Sequence, residues 1–136
     1  HSQEFRNFPE LNGKSGLQIL IENTDPALMA FELDVFWASA AGCDPVEWIE
    51  KLKGRIPIIH YKDYAVDCAS EIVGLGDVPR MFAEVGQGNL NWKAITAAAR
   101  DAGVEWYNIE QDQTKRPVFE SLQISIDYMR DVLHIQ

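Results

Sequence analysis

FELDVFWASAAGCDPVEWIEKLKGRIPIIH, residues 31–60, reads as strand, helix, strand. The first strand covers residues 31–35. The helix opens at Asp44-Pro45, an N-cap acceptor followed by a proline at the first helical position, and Val46, Ile49 and Leu52 share one face. Gly54 ends it. Residues 56–60 form a second buried strand, with Pro57 near its start, where a missing N–H does least harm. Within the first strand, side chains alternate between faces, so Glu32 and Asp34 point the same way. A carboxylate in such a strand is costly unless it is paired, hydrogen-bonded or bound to a metal.

The same alternation extends outward in both directions. Upstream, HSQEF (1–5) reads as the end of a strand, followed by a turn at Leu11-Asn12-Gly13 and a helix with Leu17, Leu20 and Ile21 inward. Downstream, residues 61–88 are long and irregular, with Gly74, Gly76, Gly86 and Gly88; connections of this length are usually functional. Asn91 can cap a helix whose Trp92, Ile95, Ala98, Ala99 and Ala102 make a slim packing face, closed by Gly103. Residues 104–110 are a further strand. The last helix starts near Pro117, with Phe119, Leu122, Ile126, Met129 and Leu133 at spacings of three and four.

Four βα units in a row define an α/β chain with a parallel sheet covered by helices. Two architectures compete, an open doubly wound sheet and half of an eight-unit barrel. A nucleotide-binding doubly wound sheet should carry a glycine-rich turn directly after its first strand, and HSQEFRNF has none. Gly86-Gln87-Gly88 is only a GxG ahead of a helix. On these residues both remain open, the barrel half as one domain over residues 1–136.

Composition narrows the partners. The chain has 136 residues, 46% hydrophobic and 24% charged, which is the size of one globular domain with a real core. A net charge of −9 argues against nucleic acid and anionic membrane, since phosphate is bound through clustered Lys and Arg. No apolar run approaches the roughly 20 residues of a membrane span, and no leader pattern opens the chain. Cys43 and Cys68 lack metal-binding spacing, so they read as free thiols in a reducing, cytoplasmic compartment, with a single disulfide as the alternative.

Asp34, His60 and Glu110 stand at or near the C-terminal ends of three different strands, and His1 stands on the first. In a parallel barrel those ends converge on one mouth, where chemistry is placed. Imidazole and carboxylates there suit Mn²⁺, Mg²⁺ or Zn²⁺. Singly, each residue also has a structural reading: a strand-end Asp caps the next helix, and a lone His is often a hydrogen-bonded core residue.

The stretches FELDVFWASAAGCDPVEWIEKLKGRIPIIHYKD, FAEVGQGNLNWKAI and VEWYNIEQD resemble the sugar phosphate isomerase/epimerase family, whose fold is a xylose-isomerase-like barrel. The resemblance runs over nearly the whole chain. It implies that Asp34, His60 and Glu110 hold a divalent metal, with His1 or, as a substitute, Glu4 completing the set. In the family the first ligand is commonly a Glu in an E-N-H stretch, and similar chains read H-N-H followed by an acidic residue and Phe; here the chain reads His1-Ser2-Gln3-Glu4-Phe5, so His1 takes the ligand position and Gln3 replaces the second His. Family epimerases move a proton between two metal-bound glutamates, of which only Glu110 remains. The resemblance also implies that the chain matches the C-terminal half of longer relatives, so it should pair with an N-terminal half-barrel or with a second copy.

The function implied is a metal-dependent isomerase or epimerase acting on a small sugar through an enediolate. Glu110 is the candidate base. Lys62 and Asp63 either touch substrate oxygens, Lys62 with a catalytic role, or form a solvated loop pair; Trp37 and Phe36 either wall the pocket or pack in the core. Glu84 can reach the mouth from the long loop, and Glu32 can be paired inside the barrel. Two other classes remain: a lyase or hydrolase on the same scaffold, and a non-catalytic subunit that binds sugar or a partner, favoured by the changes at His1 and Gln3.

Overall fold

The computed structural model describes residues 2–67 and 80–136. His1, Cys68, Gly74 and Gly76 lie outside them, and with them the expected ligand role of His1 and any pairing of Cys68. The chain opens with a 3-10 turn, Ser2–Phe5, where residues 1–5 were expected to end a strand. Arg6 N donates to Gln3 O at 3.1 Å, which curls the segment, and Phe5 packs edge-on against Trp48 at 5.3 Å between centroids. Burying that one ring outweighs any extended preference of so short a polar stretch.

Strands β1 (Asn7–Phe8) and β2 (Lys14–Ser15) pair antiparallel around the expected turn, with Asn12 and Gly13 at φ 59° and 74°. Ser15 then caps α1 (Gly16–Asn23), its hydroxyl accepting from Gln18 N at 3.2 Å. Leu17 is buried and Ile21 half-buried, whereas Leu20 faces out, contrary to its expected inward position.

β3 (Glu32–Asp34) is three residues long because Asp34 turns the chain into a helix, α2 (Val35–Ala40). The expected helix follows as α3 (Pro45–Lys51), capped by Asp44, whose Oδ1 accepts from Val46 N at 2.9 Å. Ile49 and Leu52 are fully buried beneath it, each burial stabilising by about 1.5–3 kcal/mol. β4 (Ile58–Tyr61) continues almost directly into β5 (Asp63–Val66), which pairs antiparallel with β6 (Arg80–Ala83); the stretch expected to be irregular therefore carries a ribbon. α4 (Trp92–Ala102) is capped by Asn91 and ends at Gly103, φ 84°. β7 (Trp106–Ile109) and α5 (Val118–Asp131) complete the chain.

β3, β4 and β7 form one parallel sheet in that order, with Asp34 level with His60 and His60 level with Asn108. Side-chain alternation then divides the sheet. Leu33, Ile59 and Tyr61 point into the hydrophobic core with Trp48, Ile49, Ile95, Ala99 and Met129, so α3, α4 and α5 all cover this face. The other face carries Glu32, Asp34, Ile58, His60, Trp106 and Asn108, and Trp106 is 64% exposed. Helices on one face and functional side chains on the other is the layout of a barrel half, not of a doubly wound sheet.

Candidate metal centre

Asp34 uses its two oxygens differently. Oδ1 accepts from Trp37 N at 3.1 Å and so caps α2, while Oδ2 points across the strand ends, 3.8 Å from His60 Nδ1 and 3.7 Å from Lys62 Nζ. The helix-cap and ligand readings are thus compatible in one side chain. Burial raises its pKa above the ordinary value, although the Trp37 hydrogen bond and the Lys62 charge pull the other way.

His60 stands in the same row of the central strand. Its Nε2 contacts Glu32 Oε1, and its Nδ1 contacts Glu110 Oε2. Glu110 follows β7 and prolongs the ladder, its backbone N donating to Tyr61 O at 3.1 Å. One ligand atom each from Asp34, His60 and Glu110 lie within 4.8 Å of one another. Two carboxylate oxygens and one imidazole nitrogen at that spacing fit a single divalent ion, whose bonds to such ligands run about 2.0–2.6 Å. Glu32 completes the arrangement: its carboxylate on the far nitrogen fixes the ring and leaves Nδ1 toward Asp34 and Glu110.

Lys62, two residues past His60, lies on the same face and is 1% exposed. Its ammonium donates to Asp112 Oδ2 at 2.6 Å and Glu110 Oε1 at 2.9 Å, and lies 5.2–5.7 Å from the ring centres of Phe82, Trp37 and Phe36. Burial alone would lower its pKa, but the hydrogen bonds to Asp112 and Glu110 and the charge of Asp34 outweigh it and leave the pKa raised. Trp37 therefore stands beside the centre. A cavity of about 690 Å³ opens from Glu110 over Asp112, Thr114 and Arg116.

Two expected substrate contacts face elsewhere. Asp63 is 0% exposed, and its oxygens accept from Tyr64 N, Gly86 N, Gly88 N, Leu90 N and, at 2.5 Å, Trp92 Nε1. Five donors saturate a carboxylate, so Asp63 anchors the 86–92 segment and has no lone pair for a sugar. Glu84 accepts from Thr114 Oγ1 at 3.1 Å and lies 3.4 Å from Arg116 Nε, bracing the loop after β7. Burial pushes its carboxyl up, but hydrogen bonds and the Arg116 charge prevail and hold it below the ordinary range. Glu4 lines a second cavity, about 190 Å³, with Glu32 and Asp34. Asp112 and Phe82 were not anticipated; Asp112 lies past the end of β7, where no strand alternation places a side chain.

A one-sided parallel α/β sheet with two carboxylates and an imidazole at adjacent strand ends defines half of a barrel with a possible metal centre. The chain is similar over its full length to two crystal structures of sugar phosphate isomerase/epimerases from Parabacteroides distasonis ATCC 8503. One has a TM-score of 0.73 at 29% identity and the other 0.74 at 26%. The chain covers 44% and 45% of those proteins, under half their length. No protein-family model matches it, and no curated protein does. Among the described residues no helix is long and apolar enough to cross a membrane, and Cys43 is a free thiol.

Proposed function

We propose that this chain supplies the metal-binding half of a sugar isomerase or epimerase. The observation that carries the reading is the convergence of Asp34, His60 and Glu110 within 4.8 Å at the ends of three neighbouring parallel strands. Oxygen donors with one imidazole and no thiolate favour Mn²⁺ or Mg²⁺ over Zn²⁺. A bound divalent ion would supply Lewis-acid polarisation of a sugar carbonyl, which would make the neighbouring C–H more acidic.

The chain's own groups do the rest. Asp34 Oδ2, His60 Nδ1 and Glu110 Oε2 would hold the ion, and Glu32, on the far nitrogen, holds His60 in place. Glu110 Oε1 accepts from Lys62 at 2.9 Å and keeps a second lone pair, the candidate acceptor for the sugar proton. The Trp37 ring offers an apolar wall to sugar C–H surfaces. The resemblance to the two Parabacteroides proteins supports the sugar as the substrate class.

Elemental analysis and α-proton exchange in deuterated buffer, with free and phosphorylated aldoses and ketoses, test the reading. One divalent ion per chain is expected. Glu110→Gln should lose the ion and slow exchange by orders of magnitude while the far-ultraviolet spectrum persists. A protein that binds no divalent ion, or a Glu110→Gln form that exchanges as fast as the parent, would overturn it.

A further inference from the structure

Lys62 brings a full positive charge into contact with the groups assigned to the ion. Its ammonium lies 2.9 Å from Glu110 Oε1 and 3.7 Å from Asp34 Oδ2, two of the three ligand residues, and 2.6 Å from Asp112 Oδ2. It is not a surface cation that can swing aside. The side chain is 1% exposed, with Phe36, Trp37 and Phe82 ringed about the ammonium, so Lys62 remains in place whatever occupies the neighbouring centre. Its hydrogen bonds go to Asp112 Oδ2 and Glu110 Oε1, while Asp34 Oδ2, at 3.7 Å, is a charge neighbour beyond hydrogen-bond distance.

This geometry has two consequences for a second cation. Glu110 is divided, Oε1 committed to Lys62 and Oε2 directed at His60 Nδ1, so one oxygen rather than two is presented to the ion. The ammonium also neutralises part of the negative charge that would attract a dication, and it repels the dication directly at short range. From these contacts we propose that Lys62 is a positioning residue: an internal counter-cation that restricts Glu110 to one-oxygen ligation and holds divalent-metal affinity down, so that the ion remains exchangeable. The proposal rests on the metal-centre reading given above. Asp112 opposes Lys62, because its carboxylate draws the ammonium away from Glu110.

Two substitutions of opposite sign test it, read by competition of the whole chain with a chromophoric chelator for Mn²⁺. Lys62→Met keeps an unbranched apolar stem among the three rings and removes the charge; it should bind Mn²⁺ roughly tenfold more tightly or better. Asp112→Asn, at a side chain 43% exposed and so tolerant of change, should bind more weakly than the parent, because Lys62 then leans wholly on Glu110 and Asp34. A purely structural lysine predicts the reverse for Lys62→Met, since losing a buried partner would disorder the ligands. Weaker or unchanged binding by Lys62→Met, or tighter binding by Asp112→Asn, would overturn the proposal. The two readings fail separately: a parent that binds Mn²⁺ with the wrong response to these variants sinks only the Lys62 role, whereas a parent without affinity sinks the metal centre. A parent without affinity overturns the Lys62 role as well, since that role rests on the centre.

Discussion

Glu32 and Asp34 share a face, as strand alternation requires, and the structure gives each a separate task. Asp34 divides its oxygens between a helix cap and the centre, while Glu32 contacts only the outer nitrogen of His60. The consequence can be measured. Glu32→Gln leaves all three ligands in place but weakens the grip on the imidazole, so divalent-ion affinity should fall by about 10- to 100-fold, with little change in unfolding by urea. Equal affinities of parent and variant in a chelator competition would show that Glu32 does not orient the ring. The clustering of Asp34, His60 and Glu110 was legible because their positions at strand ends can be counted along the chain. Glu32 was legible only as a charge needing a partner, because which nitrogen of which histidine it meets depends on the sheet register, which places Asp34 opposite His60. Asp63 was misjudged for a related reason: its five donors come from residues 64–92, and no local pattern announces them.

At the scale of elements, strong periodicity and good caps were readable and short or ambiguous runs were not. Asp44-Pro45 and Asn91 mark the starts of α3 and α4 where the residues themselves suggest. By contrast, no helix is expected over VFWASA, because its cap, Asp34, lies inside the expected strand; Asp34 captures the Trp37 N–H and turns the chain into α2. The β5–β6 ribbon was hidden because its pairing is antiparallel and non-local, and its organiser is a buried carboxylate. That dependence predicts a specific weak point at Gly88. A Cβ there would overlap Asp63 Oδ1 and the Tyr64 carbonyl oxygen, neither of which can move without breaking bonds to the 86–92 segment. Gly88→Ala should therefore cost about 1–3 kcal/mol in denaturant unfolding and shift the emission of Trp92, whose Nε1 donates to the same carboxylate. Wild-type stability with unchanged emission would mean that the carboxylate cradle is looser than its hydrogen bonds indicate.

For the molecule as a whole, the informative departure is α5. Its apolar spacing predicts an inward face of Phe119, Leu122, Ile126, Met129 and, beyond its end, Leu133; Met129 and Leu133 are buried as expected, but the other buried positions of the helix are Ser121 and Ser125, and Phe119 is 87% exposed. Small serines let the helix approach the sheet closely, and the larger apolar residues are left on the side away from this chain's own core. Trp106 on the open face of the sheet and Ile126 on the helix are exposed in the same way. β3 and β7 are the edges of the described parallel sheet, each with one row of backbone N–H and C=O groups not paired within it. Such apolar surface and open edges are what a second set of βα units would cover, and the two similar crystal structures are more than twice as long as the part this chain matches. We therefore expect the 136-residue chain on its own to associate, either with a complementary half-barrel or with another copy, and to bind a hydrophobic dye such as ANS when dilute. Adding a polypeptide that carries the complementary half should abolish dye binding and raise the unfolding midpoint, since anything that binds only the folded form stabilises it. Sedimentation of a cooperatively folding 15.4 kDa particle that binds no dye at low concentration would instead mean that the three-stranded half is self-sufficient, and that the exposed residues of α5 and β7 need no partner.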